Sequence, residues 1–305
     1  MTIRVLITGS TGLLGHTVLQ TAPSGCEVTG TYYANPPADS RWPLHQLDVR
    51  DDGAVRRLLD MVRPHVVIHT ASVGSVEEAQ REPQVVRTVN VWGTQAVGRA
   101  CGRIGARFIF ISSNAVFDGL HAPYTEDAPV HAVNRYGALK IEAESWVRQR
   151  CPAPATIVRP ILLYGWPVTG GRGNVVTRWL SDFEQARPVD VDASLWSMPL
   201  WVANCAEVIW AVVTQGCTGT YHAAGADRLL LIEFARQVAR TFGYGEQLVR
   251  PASAAFLAQF APRPKDTSFV ITKMQEDLGV RALGVQEGLT AMLKTSPMGV
   301  RPCAS

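Results

Sequence analysis

Thr8-Gly9-Ser10-Thr11-Gly12-Leu13-Leu14-Gly15 places three glycines at intervals of three, directly after the apolar run 3–7 and before residues 13–20, which carry helical patterning. A strand, a tight glycine turn and a helix in that order let backbone N–H groups approach a pyrophosphate, and the helix N-terminus adds a favourable dipole. A purely structural turn is the other reading of such glycines; the strand-turn-helix context within the first fifteen residues favours dinucleotide binding. Cofactor contacts are therefore expected from Gly9, Thr11, Gly12, Leu13, Leu14 and Gly15.

Outward from this loop, short apolar runs alternate with helix-length segments. Strands are predicted at 26–32, 66–69 and 107–111, and helices at 51–62, stopped by Pro64, and at 85–104. Such alternation makes βαβ units, so the fold class is α/β, a Rossmann-like doubly wound parallel sheet with a smaller C-terminal substrate domain. After Tyr164-Gly165 the alternation fades, and Gly170, Gly171, Gly173, Pro188 and Pro199 mark a loop-rich region. The expected division is a dinucleotide-binding domain at 1–165 and a smaller domain at 166–305, with 199–225 packing back onto the first. Two further helices are expected at 204–214 and 231–242.

With 47% hydrophobic and 18% charged residues among 305, the chain has the apolar surface for one large core or two joined ones, which excludes disordered and fibrous classes. A net charge of +3, with no stretch concentrating Lys and Arg, argues against nucleic-acid partners. The longest uncharged hydrophobic stretch, 208–226, carries Thr214, Gln215, Gly216, Thr218, Gly219 and His222, so no membrane span is expected. The opening residues run straight into a strand and leave no room for an export signal, which makes a cytoplasmic setting the expectation. The six cysteines form no Cys-x-x-Cys pair, and Cys303 reads as idle; the carboxylates near the seven histidines form no ligand cluster, so no metal is assigned.

The residue closing the second strand discriminates NAD from NADP, because Asp or Glu there binds the adenosine ribose hydroxyl. This chain has Gly30-Thr31-Tyr32-Tyr33 instead, with Arg41 further on, so NADP(H) is favoured over NAD(H); Arg41 as an ordinary surface arginine stays open. Asp48, with Val49, either meets the adenine edge or starts the next helix.

Tyr136-Gly137-Ala138-Leu139-Lys140 puts a phenol and an ammonium on one helix face. A nearby cation favours the phenolate, so Lys140 is expected to lower the Tyr136 pKa and let it act as a general acid or base, while also holding ribose hydroxyls. With seven tyrosines and four lysines, chance gives about 0.1 such pairs. Ser113 follows a buried strand, which points it at the crevice beyond the strand ends, where its hydroxyl steadies a substrate carbonyl. A serine there is also a common turn or cap residue.

These motifs resemble the extended short-chain dehydrogenases, most closely the dTDP-4-dehydrorhamnose reductase group. The resemblance rests on the glycine loop, Ile111-Ser112-Ser113-Asn114-Ala115-Val116-Phe117-Asp118-Gly119, Pro123-Tyr124-Thr125-Glu126, Asn134-Arg135-Tyr136-Gly137-Ala138-Leu139-Lys140 and Arg263-Pro264-Lys265-Asp266-Thr267-Ser268. It implies hydride transfer from a nicotinamide cofactor to a keto sugar, with Ser113, Tyr136 and Lys140 catalytic. It also implies that Thr70, Ala71 and Ser72 pass beside the nicotinamide, with Asn90 on the helix that follows; plain strand and helix packing stays open for them. Substrate contacts are implied for Ser113, Asn114, Ala115, Leu162, Asn174, Trp196 and Arg263; core packing for Trp196 and loop anchoring for Arg263 stay open. A sugar or sugar-nucleotide substrate and a homodimer follow from the same likeness.

The departures fall where substrate should lie. Asn114-Ala115 replaces the group's Asp-Tyr, and Arg159-Pro160-Ile161-Leu162-Leu163-Tyr164-Gly165 has Leu162 where relatives carry an aromatic. Dehydration is disfavoured, because the 4,6-dehydratases resembled here have an Asp-Glu pair after the residue at Ser113. Two other readings stay open. One is a silent NADP-binding subunit resembling the methionine adenosyltransferase β subunit; the other is a cofactor-retaining epimerase.

Overall fold

The structure is a computed structural model that describes residues 2–36 and 40–296; Cys303 lies outside the described residues. Seven parallel strands form the main sheet: β1 (Ile3–Thr8), β2 (Cys26–Tyr32), β3 (Leu44–Gln46), β4 (Val66–His69), β5 (Arg107–Ile111), β6 (Ala155–Pro160) and β7 (Gly219–Ala223). Their spatial order is β7-β6-β5-β4-β1-β2-β3, so the chain reverses its direction of winding between β1 and β4. Ligands of open α/β sheets bind at such a switch point.

The alternation of strand side chains builds two cores. Val5, Ile7, Val66, Ile68, Ile109 and Ile111 face one side, and Leu6, Val67, Phe108 and Phe110 the other. Helices cover both faces. The first side holds α1 (Leu13–Gln20), and the second holds α2 (Asp52–Val62) and α3 (Thr94–Ile104). Each fully buried Val, Leu or Ile contributes about 1.5–3 kcal/mol relative to exposure.

The helix predicted at 85–104 is one helical path with a changed pitch. A helical run Pro83–Arg87 passes through a π turn, Thr88–Gly93, before α3. Beyond β5 come α4 (Arg135–Arg150), α5 (Val175–Glu184), α6 (Val202–Gln215), α7 (Leu231–Thr241) and α8 (Val285–Lys294). The helix α6 lies against α1, where Trp210 Nε1 donates to the Val18 carbonyl at 3.0 Å, and Arg107 at the start of β5 donates to the Val213 carbonyl at 2.6 Å near its C-terminus. A third core, with Trp179, Phe183, Phe234, Val238 and Leu289, joins α5, α7 and α8 into the lobe that faces the strand ends. Among the described residues no helix is long and apolar enough to cross a membrane.

Candidate functional site

The site grows from the end of β1. Gly9 has φ +70, and a Cβ there would lie 2.7 Å from the Ala71 Cα, so only glycine lets the loops after β1 and β4 touch. A Cβ on Gly15 would collide with the Gly9 carbonyl. The turn is anchored to β2 by Ser10, whose N and Oγ donate to the Thr31 carbonyl at 2.8 and 2.9 Å. Thr70 Oγ1 donates to the Thr8 carbonyl at 2.6 Å and ties in β4.

Gly12 differs from the other two glycines. The nearest atom to a Cβ built there, the Gly9 carbonyl oxygen, is 3.4 Å away, so packing within the chain tolerates alanine. Gly12 instead lines the open cleft, at the N-cap of α1, where no side chain caps the helix and no acid stands in the first turn. Free N–H donors with a cradle that a Cβ would fill suit a pyrophosphate. The contrast is testable. Gly12→Ala is expected to keep stability within about 0.5 kcal/mol and to weaken NADPH binding more than about 10-fold. Gly9→Ala is expected to lose at least about 1 kcal/mol of stability as well, measured by thermal unfolding beside cofactor titration.

Three contiguous stretches of cleft run across the strand ends. The first, about 330 Å³, is lined by Gly9, Thr11, Gly12, Tyr33, Asp48, Val49, Arg50, Thr70, Ala71 and Ser72. The middle one continues past Leu13, Leu14 and Gly15 to Ser113, Tyr136 and Lys140. The third, about 420 Å³, shares Ser113, Asn114, Tyr136 and Leu162 with the middle one and opens toward Arg172, Arg178, Trp196 and Arg263.

Ser113 comes off β5 and does two jobs locally. Its Oγ accepts from the Ala115 N–H at 3.1 Å, capping the turn Asn114–Val116, and it faces the cleft between the two ends. Asn134 caps α4 by accepting from the Gly137 N–H at 2.9 Å, and a Cβ on Gly137 would run into the Ala115 carbonyl. That bare glycine lets the first turn of α4 close on the serine turn and brings Tyr136 beside Ser113. One turn on, Lys140 is 2% exposed, with its Nζ donating to the Ile111 carbonyl at 2.9 Å.

The electrostatics correct one expectation. Burial pushes the Tyr136 phenol up to about 12, a hydrogen bond with Ser113 acting against it. The net direction is upward rather than the fall expected from Lys140. The ammonium is turned to the Ile111 carbonyl, 5.9 Å from the Tyr136 ring centroid, and burial pulls it down to about 8, Glu144 acting the other way. Under the cleft floor, His69 sits between Thr8 Oγ1 at 2.7 Å and Thr94 Oγ1 at 3.2 Å, held neutral by burial and secondarily by Lys140. Asn90, on the π turn, accepts from the Val73 N–H at 2.8 Å and donates to the Val73 carbonyl at 3.0 Å, which pins the loop bearing Ala71 and Ser72.

Two sequence expectations fail. Arg41 lies outside the cleft, stacked 4.2 Å over Trp42 and beside Gln20 and Thr21, because β3 starts only at Leu44 and carries the chain back to the crevice after it. The cation in the first stretch is Arg50, paired with Asp48 at 2.6 Å and donating to the Tyr33 hydroxyl at 2.8 Å. Its signal was a charge two residues beyond Asp48. The cap of α2 is Asp51 rather than Asp48. Asn174 is not a lining residue: its Oδ1 caps α5 by accepting from Val176 at 3.1 Å, and its Nδ2 donates to the Gly165 carbonyl at 2.6 Å.

The rest of the substrate side is assembled from distant segments. Asn114 Nδ2 donates to Thr267 Oγ1 at 2.6 Å, and Arg263 pairs with Glu77 at 2.6 Å across the mouth. Trp196 is 36% exposed, one face covered by Arg228 at 4.0 Å. Trp201 packs into the cores of both lobes. Arg172 and Arg178 line this end with no carboxylate partner among the described residues, and nothing in the sequence singled them out. No group of three or more His, Cys, Asp or Glu among the described residues is placed to hold a metal ion.

A doubly wound parallel sheet, a glycine loop at its switch point and a Ser, Tyr and Lys across the same cleft define the architecture of extended short-chain dehydrogenases and reductases. The chain belongs to the family described as the RmlD substrate binding domain, which matches residues 3–298. It is 31% identical over 269 residues, 88% of each chain, to the dTDP-4-keto-6-deoxy-D-glucose reductase of Streptomyces niveus. It is also 27% identical over 301 residues, 95% of this chain and 88% of the other, to methionine adenosyltransferase 2 subunit beta of Xenopus laevis. Among solved structures, a dTDP-4-dehydrorhamnose reductase from Bacillus anthracis in complex with NADP superposes with a TM-score of 0.85 at 24% identity, covering 97% of this chain and 100% of that one.

Proposed function

We propose that the protein is an NADPH-preferring reductase of a keto group on a nucleotide-linked sugar. The observation that carries this reading is the continuity of the cleft: Ser113 and Tyr136 stand where the stretch beside the glycine loop meets the stretch lined by arginines. NADPH, bound along the glycine loop, supplies the hydride. The loop N–H groups and Lys140 hold it, and Asn90 keeps the Ala71-Ser72 wall in place.

Tyr136 delivers the proton to the substrate oxygen. A phenol pushed up to about 12 stays protonated at neutral pH, as a proton donor must, and an alkoxide forming on the sugar is basic enough to take it. The Ser113 hydroxyl, which donates to Asn114 Oδ1 at 3.3 Å and also interacts with the Tyr136 phenol, turns to hydrogen-bond the same oxygen. Arg172, Arg178 and Arg263 match a diphosphate-bearing substrate, and the open face of Trp196 suits a base or sugar ring. Arg178→Ala is expected to raise KM for the sugar nucleotide about 10-fold or more with little change in kcat, measured by steady-state kinetics.

The Lys140 ammonium exists below its folded value of about 8 and is lost above it. The kcat/KM for NADPH, which reports the free enzyme, is therefore expected to fall as pH rises through about 8, and Lys140→Arg to move that fall upward. The function itself is tested by NADPH oxidation against a panel of nucleotide-linked 4-keto and 3-keto sugars. Turnover is expected with at least one. Saturable NADPH binding without turnover on any of them overturns the reductase and favours a regulatory subunit, the reading that the departures at Asn114 and Ala115 motivate.

A further inference from the structure

Resting on the reading that the cleft binds a nicotinamide dinucleotide, we infer that Arg50 recognises the adenosine 2′-phosphate, and that Asp48 beside it keeps the discrimination against NADH moderate. In folds of this kind the ribose hydroxyls meet the end of the second strand, where a carboxylate selects NAD. Here that end is Tyr32-Tyr33, and the charged groups come from the neighbouring strand-end instead. Among the residues lining this stretch, Arg50 is the cation and Asp48 the carboxylate.

Arg50 is held in place before any ligand arrives. Its Nε donates to Asp48 at 2.9 Å, its Nη2 to the other Asp48 oxygen at 2.6 Å and to the Tyr33 hydroxyl at 2.8 Å, and its guanidinium lies 5.5 Å from the Tyr33 ring centroid. Nη1 makes no hydrogen bond among the described residues, so two N–H donors of the fork stay free for an anion. Preorganisation by a tyrosine and a carboxylate lowers the entropy lost when a phosphate is gripped.

Asp48 acts in the opposite sense on specificity. Its carboxylate cancels part of the Arg50 charge at short range and repels a dianionic phosphate.

The experiment titrates NADPH and NADH separately into wild type, Arg50→Gln, Arg50→Lys and Asp48→Asn, reading nicotinamide fluorescence with no substrate present. Arg50→Gln is expected to weaken NADPH about 10- to 100-fold and NADH less than about 3-fold. Arg50→Lys is expected to lose only part of the preference, since charge remains without the fork. Asp48→Asn is expected to widen the NADPH to NADH ratio. Equal losses for both cofactors in Arg50→Gln, or none for either, overturn the assignment. Wild-type protein that binds neither cofactor overturns the dinucleotide reading itself, and the inference with it.

Discussion

Tyr136→Phe is expected to lower turnover at least about 100-fold, the usual weight of a positioned general acid, while NADPH affinity stays within a factor of about 3. The phenol faces the cleft next to Ser113, where the proposed reading makes it the proton donor, and the ring that packs against the second core is retained in phenylalanine. The loss therefore falls on kcat, with KM for the sugar nucleotide little changed. Steady-state kinetics of both proteins on the best substrate of the panel, with cofactor titration alongside, check it. Undiminished turnover removes Tyr136 from the chemistry and transfers the proton step to another group.

Breaking the ion pair between α4 and β6 is the second large effect, on stability. Arg159 is 1% exposed and Glu144 0%, with Nε and Nη2 of the arginine donating to the two carboxylate oxygens at 2.8 and 2.7 Å. Arg148 adds a third donor at 2.8 Å, and the remaining Arg159 nitrogen reaches the Glu126 carbonyl and His222 Nε2, both at 3.2 Å. Glu144→Ala leaves the guanidinium buried without its partner and is expected to cost about 3–5 kcal/mol. Against a typical stability of about 5–15 kcal/mol this lowers the Tm by more than about 5 °C in a thermal melt. A Glu144→Leu, Arg159→Met double replacement is expected to recover much of the loss, because both desolvated charges go together.

The same pair sets an acid limit. Burial alone would raise the Glu144 carboxyl, but the hydrogen bonds and charge of Arg159 outweigh it and hold it below the usual range. A carboxylate held low in the fold stabilises at pH above its unfolded value, and that contribution disappears as pH falls through the lower folded value. The pair also bears on the site, since Glu144 follows Lys140 by one turn of α4 and ties that helix to the sheet.

What the sequence determined by itself is local. Three glycines after an apolar strand fit one backbone path, and the bounds predicted for α1, β2, β4 and β5 coincide with the structure. Tyr136 and Lys140 share a face because a helix repeats about every four residues. The π turn at Thr88–Gly93 was not legible in the sequence, because a single turn of wider pitch within a helical path carries no residue signature of its own.

Tertiary structure decided the charges. Arg41 and Arg50 are equally plausible as letters, and only the return path through β3 carries one into the cleft and leaves the other on Trp42. Asn174 was drawn away from substrate by the free N–H groups of α5, whereas Arg172 and Arg178 nearby line the cleft. Burial in the packed protein raises the Tyr136 pKa against the Ser113 hydrogen bond, where spacing alone predicted a fall, and the Ile111 carbonyl takes the Lys140 ammonium. Spacing along a chain fixes which side chains share a face; solvent exclusion and long-range partners, which set charge and reach, exist only once the segments are packed together.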